Sequence, residues 1–264
     1  MTQRSMRGPI ALAAGLAVAF GPVAGVALAD PPAASAVAFD RSLHLQGVQN
    51  ARDLGGYRTV DGKTVRTGLV YRTGQLNNAT PDDLAALADR KVRFVDDLRT
   101  VYERAVGPDR VPAGAVANWD DVIGQAPPEV LASTLTGGDS LYRAFITAPG
   151  ANAAFAAVLR DILGAEDGAV LFHCTAGKDR TGWTAAVLLT LLGVDRATVN
   201  QDYLLSNEYR NARPDDALNG VQQPWLDAAF DQANQTYGSF GNYVRDGLGL
   251  STADIAALRA KLLA

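Results

Sequence analysis

Ten consecutive residues, His173-Cys174-Thr175-Ala176-Gly177-Lys178-Asp179-Arg180-Thr181-Gly182, hold the only cysteine of the chain six positions before an arginine. An apolar run, Ala169-Val170-Leu171-Phe172, precedes them, and a longer one, Trp183 to Val194, follows. A strand that leads through a glycine-containing loop into a helix N-terminus makes an anion cradle, because unpaired N–H groups and the positive end of the helix dipole converge there. A thiol at its mouth ionises readily: helix N-termini and nearby cations bring cysteine from about 8.5 to roughly 3.5–7.5. The predicted chemistry is attack of the Cys174 sulfur on phosphorus in line with the leaving oxygen, giving a phosphocysteine that water hydrolyses. Arg180 closes on two phosphate oxygens with parallel hydrogen bonds, and the backbone of Thr175, Ala176, Gly177, Lys178, Thr181 and Gly182 holds the rest. Gly177 and Gly182 permit close backbone approach, and the Thr181 hydroxyl can donate to the sulfur. No metal or other cofactor is required, since the backbone and Arg180 supply the positive field.

The neighbouring residues divide between chemistry and scaffolding. His173 adjoins the nucleophile, but a strand alternates faces, so its ring is expected to point away from the pocket in a structural role. Lys178 is either a solvated loop charge or a contact to substrate. A phosphate ester also needs a proton for its leaving oxygen. Asp96 and Asp97, near the end of the strand-like run Val92–Arg99, are the leading candidates; they face opposite ways, and periodicity does not choose between them. Asp120, after Trp119, is a rival.

The surrounding text supplies the elements that must position these groups. Thr80-Pro81-Asp82-Asp83 has the signature of a helix N-terminus. Phe155, Val158, Leu159, Ile162 and Leu163 keep the spacing of an amphipathic helix that stops at Gly164. The motif strand and a buried helix Thr181–Leu192 come next, and Ser251 or Thr252 with Asp254 caps a last helix. Tyr57–Val60 and Thr64–Val70 flank Asp61-Gly62 as an expected hairpin. Residues 105–150 predict loops and short helices. Helix text alternating with buried-strand text predicts an α/β fold: a central, mostly parallel sheet flanked by helices, with a helical C-terminal part.

Residues 1–29 predict a secretion signal: Arg4 and Arg7, an apolar stretch from Ala11 to Phe20, and a small-x-small site at Ala27-Leu28-Ala29, with cleavage after Ala29. The core is short and interrupted by Gly and Pro, which favours cleavage over a retained membrane anchor. Residues 30–45 form an Ala/Pro-rich flexible leader, and residues 46–264 one domain. The formal charge of −4 becomes −6 when the two arginines of the segment leave, which argues against nucleic acid as a partner. One cysteine cannot form an internal disulfide, so an exported chain of this composition stands on its core.

With its Cys-x5-Arg loop the chain resembles the protein tyrosine phosphatase superfamily, and more narrowly the bacterial branch of tyrosine and lipid phosphatases whose loop reads HCxxGKDRTG. Asn50-Ala51-Arg52-Asp53-Leu54-Gly55-Gly56, Tyr71-Arg72-Thr73-Gly74-Gln75-Leu76, Asp97-Leu98-Arg99 with Glu103, and Asp202-Tyr203-Leu204-Leu205-Ser206-Asn207 resemble further segments of that branch. The resemblance implies a tyrosine phosphatase-like fold, Asp97 as general acid, a catalytic part for Asp179, and contact of Lys178 with phosphoinositide head groups. One departure is Asp96, which stands where the branch carries an apolar residue. The resemblance also implies a helical lid, for which the region around 208–235 is the candidate. The expected function is therefore that of a secreted phosphatase acting on phosphotyrosine, with phosphoserine and phosphothreonine as further possibilities. The alternatives are a phosphoinositide or inositol phosphate phosphatase of the same mechanism, and an inactive phosphate-binding module. A self-contained arsenate reductase needs resolving thiols, which this chain lacks.

Overall fold

A computed structural model describes residues 40–213 and 215–264. The expected signal, residues 1–29, and the leader up to residue 39 lie outside the described residues. Strands β1 (Arg52–Asp53), β2 (Val70–Thr73), β3 (Val92–Asp97), β4 (Val116–Trp119) and β5 (Ala169–His173) form one sheet in the order β1-β2-β5-β3-β4. β1 runs antiparallel to β2, and every other neighbour pair is parallel. The mostly parallel sheet expected from the sequence is therefore present.

The apolar run of β5 is explained by its central place, since parallel strands are covered on both faces. Val170 and Phe172 pack into the main core with α5 (Ala151–Gly164) and α6 (Arg180–Leu192). Ala169 and Leu171 turn to a smaller cluster with Leu87 of α1 (Pro81–Asp89). The period of two then sends His173 to the Leu171 side. Helix α6 is buried nearly all round, and its Trp183 ring meets Phe230 edge-on at 4.9 Å.

Both expected capping boxes form, Thr80 with Asp83 on α1 and Ser251 with Asp254 on α9 (Thr252–Leu262). Residues 105–150 hold more order than the sequence suggests. The sheet edge β4 lies there, as do α3 (Pro128–Ser133) and α4 (Asp139–Thr147), after α2 (Val101–Val106). The expected hairpin around Asp61-Gly62 forms but is short: the Thr59 N–H donates to Lys63 O at 2.9 Å and the Val65 N–H to Tyr57 O at 2.8 Å, with Arg58 and Thr64 as its antiparallel bridge. The strand forms later, at Val70–Thr73, after Gly68 adopts φ +80° and donates its N–H to Asp53. After α7 (Arg196–Tyr209), the region expected as a lid holds α8 (Gln223–Tyr237). Trp225, Leu226, Ala229 and Phe230 of α8 are core residues, and no described helix is long and apolar enough to cross a membrane.

Candidate active site

Cys174 sits where β5 ends and α6 begins, at the carboxyl end of the parallel strands, where open α/β sheets hold their ligands. Asp179 occupies the N-cap of α6, yet its side chain caps nothing. The first N–H groups of the helix are thus free of a side-chain cap and face the sulfur and any anion beside it. Gly177 takes φ +66°, and a Cβ there would lie 2.3 Å from the Thr73 carbonyl oxygen. The carbonyls of the loop are fastened from the β1–β2 side. Asn50 Nδ2 donates to Gly177 O at 2.8 Å and Arg72 Nη2 to the same oxygen at 2.9 Å, while the Gln75 N–H donates to Thr175 O at 3.1 Å. A peptide points its C=O and N–H in opposite directions, so fastening the carbonyls presents the N–H edges to the cradle.

Arg72 is in turn fixed by a buried cluster. Asp202 on α7 accepts from Arg72 Nη1 at 2.6 Å, Arg52 Nε at 3.2 Å and the Tyr57 hydroxyl at 3.0 Å. Burial would raise this carboxyl, but the Arg52 and Arg72 charges outweigh it and hold Asp202 below the usual carboxylate range. The segments that resemble the phosphatase branch at residues 50–56, 71–76 and 202–207 are therefore one structural unit beneath the loop.

Cys174 is buried. Burial pushes its thiol up, whereas the Arg180 charge and the Thr181 hydroxyl and N–H pull it down, and the net displacement is downward. The Thr181 hydroxyl makes no other hydrogen bond among the described residues. Arg180 is clamped by Glu103 of α2: Nη1 donates to Oε2 at 2.7 Å and Nη2 to Oε1 at 2.6 Å. Burial pushes Glu103 up, but Arg180 and the Thr175 hydroxyl hold it far below the ordinary range. Glu103 also closes the capping box of α2 with Thr100. Its spacing from Thr100 is legible as a cap, but nothing in the sequence shows its reach across 77 positions to Arg180.

The structure does not bring the two expected catalytic carboxylates together. Asp97 Oδ1 accepts from the Arg99 N–H and Nε, at 3.0 and 2.8 Å, and Oδ2 from Arg99 Nη2 and Arg104 Nε, at 2.8 and 3.1 Å. It lies opposite His173 in the ladder and shares that face. His173 Nε2 approaches Asp109 Oδ2 at 3.1 Å, the structural placement expected for the ring. Asp179, in contrast, adjoins the cradle and bears on the sulfur, where its charge raises the thiol. Its Oδ1 accepts from the Tyr142 hydroxyl at 2.9 Å, and that hydroxyl accepts from Tyr203 at 2.6 Å. Lys178 is buried against the same carboxylate, 3.1 Å from Oδ2, with the Ala217 carbonyl and the Trp225 ring beside it. It is not the solvated loop charge that one reading of the sequence allows.

The rival acids Asp96 and Asp120 turn toward α5. Burial and the charges of Asp161 and Asp120 push Asp96 up to about 9, and burial with Asp161 and Asp97 pushes Asp120 up to about 6. Arg210, which the sequence left unremarked, lies against the loop, its Nη1 donating to Ala176 O at 3.3 Å and to Gln49 Oε1 at 2.9 Å.

The family model described as "Tyrosine phosphatase family" matches residues 43–264. A tyrosine-protein phosphatase of Cupriavidus necator is 32% identical over 88% of this chain and 92% of its own length. The triple specificity protein phosphatase PtpB of Mycobacterium tuberculosis is 30% identical over 83% of this chain and 98% of its own. Among solved structures, TpbA of P. aeruginosa in complex with pTyr aligns with a TM-score of 0.36 and 19% identity, over 65% of this chain and 90% of that one. The chain belongs to the tyrosine phosphatase family, in the bacterial branch of the protein tyrosine phosphatase superfamily.

Proposed function

We propose that the protein hydrolyses phosphotyrosine, with phosphoserine and phosphothreonine as further substrates, through a phosphocysteine intermediate. The observation that carries this is the convergence of a thiol displaced downward, a clamped guanidinium and an uncapped helix N-terminus on one point. The Cys174 thiolate attacks phosphorus while the P–O bond to the leaving group breaks. Arg180 and the loop N–H groups take up the charge that redistributes over the equatorial oxygens. Among the described residues Arg180 Nε makes no hydrogen bond within the protein, so it is available to one of those oxygens. Asp179 gives its proton to the leaving oxygen, then accepts one from the water that cleaves the phosphocysteine. Tyr142 holds that carboxyl in place, and Thr181 eases departure of the sulfur.

Turnover of a chromogenic phosphate ester should vanish in Cys174→Ser; retained turnover would sink the mechanism. Asp179→Asn should slow esters with poor leaving groups by about 100-fold and those with good ones far less, as expected when a general acid is lost. If Asp97→Asn shows that selectivity instead, the proton comes from Asp97, as the family resemblance implies, after it parts from Arg99.

A second reading rests on Lys178 and Arg210, two further cations beside the loop, and takes phosphoinositides or inositol phosphates as substrates. Kinetics on a phosphotyrosine peptide and a soluble phosphoinositide, side by side, decide between the two. Arg210→Ala should then impair the substrate with the additional phosphates more. The export signal is part of the proposal: protein recovered from culture medium should begin at Asp30. Retention in the cells with residues 1–29 intact would refute export.

A further inference from the structure

Three carboxylates converge on the far side of the sheet from His173: Asp96 at the end of β3, Asp120 just after β4, and Asp161 on α5. One oxygen from each lies within 4.8 Å of the others. Among the described residues no Lys, Arg or His nitrogen pairs with any of the three. The nearby Asp97–Asp109–His173 group differs in this respect, because Arg99 and Arg104 neutralise it. Asn118 Nδ2 donates to Asp96 Oδ1 at 3.2 Å and Asp161 Oδ2 at 2.6 Å, which fixes both carboxylates but adds no charge. The second oxygen of Asp96 has no hydrogen-bond partner, although the residue is fully buried, and Asp120 Oδ2 is likewise buried without one. A carboxyl buried in that condition must either hold a proton or meet a counter-charge.

We propose that Asp96, Asp120 and Asp161 bind a divalent cation, calcium in preference to magnesium, that ties the β3–β4 edge of the sheet to α5. The donors are all oxygen, the hard set both ions take. Calcium sits about 2.3–2.6 Å from its oxygens, so ligands across the ion lie up to about 5 Å apart, whereas magnesium at about 2.0–2.1 Å holds them near 4 Å. Magnesium is usually held by one or two carboxylates and keeps most of its waters, whereas three carboxylates that each bring an oxygen within 4.8 Å of the others suit the more flexible calcium shell. Asp120 and Asp161 are partly exposed, which leaves a path for entry and for waters that complete the shell. The ion is structural and lies apart from the phosphate cradle. Asp96, the acid that departs from the branch pattern, is thereby given a role.

The test is thermal unfolding of the whole protein, stripped with a chelator and then supplied with millimolar calcium or magnesium. Calcium at about 100 times its Kd should raise Tm by about 5 °C or more, and magnesium by less. Asp161→Asn should keep the circular dichroism of the stripped wild type and lose the calcium shift. Should that variant fail to fold, Asp120→Asn, on the loop, is read in the same way. A Tm indifferent to calcium overturns the proposal, because protons then satisfy the cluster. An undiminished shift in the variant that folds overturns it too, because the ion then binds elsewhere.

Discussion

Replacing Glu103 by glutamine tests whether the rate depends on how Arg180 is held. The two Glu103 oxygens receive both guanidinium nitrogens, the Thr175 hydroxyl and the Thr100 N–H. Glutamine keeps the shape and one acceptor but turns the other oxygen into a donor that faces a donor. One charge-assisted bond to Arg180 is lost, worth about 1.5–3 kcal/mol. If about 2–3 kcal/mol of that was spent on aligning the guanidinium with the transition state, kcat/KM falls roughly 30- to 150-fold. A second readout separates alignment from loss of structure. Removing the Glu103 charge leaves Arg180 with its full positive field toward the sulfur, so the midpoint for alkylation of Cys174 should move to lower pH. Unfolding sends it the other way, up toward that of a free thiol. The assay is the pH dependence of iodoacetamide labelling beside steady-state turnover of a chromogenic ester. Wild-type kcat/KM in Glu103→Gln, or a labelling midpoint displaced upward, refutes the reasoning.

In the wild-type protein, labelling of Cys174 should reach half its maximal rate below about pH 8.5, the value of a free thiol, since its pKa is lowered. The thiolate is then present above that midpoint and lost as pH falls through it; a midpoint at or above 8.5 contradicts the assignment. Gly177→Ala should abolish turnover, because the residue holds φ +66° and a Cβ would stand 2.3 Å from Thr73 O; activity within tenfold of wild type would show that the loop rearranges at little cost. Asp202→Asn strips the charge that compensates Arg52 and Arg72 and should cost about 3–5 kcal/mol, lowering Tm by about 10 °C. Because the folded pKa of Asp202 is depressed, its contribution is complete above the unfolded value of about 3.9 and is lost as pH falls through the folded one. The Tm gap between wild type and variant should therefore narrow below pH 4, and a gap that stays constant removes the ion cluster as its cause.

The sequence was most legible where one residue type has one physical reason to be present. An apolar run followed by Cys174, Gly177, Arg180 and another apolar run can be little else than a buried strand, a tight loop and a buried helix, and β5 and α6 form within a residue of the expected limits. Capping boxes were equally plain, because donor and acceptor lie three positions apart. The clamp on Arg180 and the anchor on Asp179 stayed hidden because their partners, Glu103 and Tyr142, are 77 and 37 positions away and leave no local trace. The acid shows most clearly how local rules run out. Periodicity correctly separates Asp96 from Asp97, but which side of β3 faces the sulfur depends on its ladder with β5, where Asp97 meets His173. Since the ring of His173 was expected to turn away from the pocket, its partner in the ladder turns away with it. Once the register is known, the rule that placed the histidine also places Asp97 among arginines, and it leaves Asp179, on the loop itself, as the carboxylate beside the sulfur.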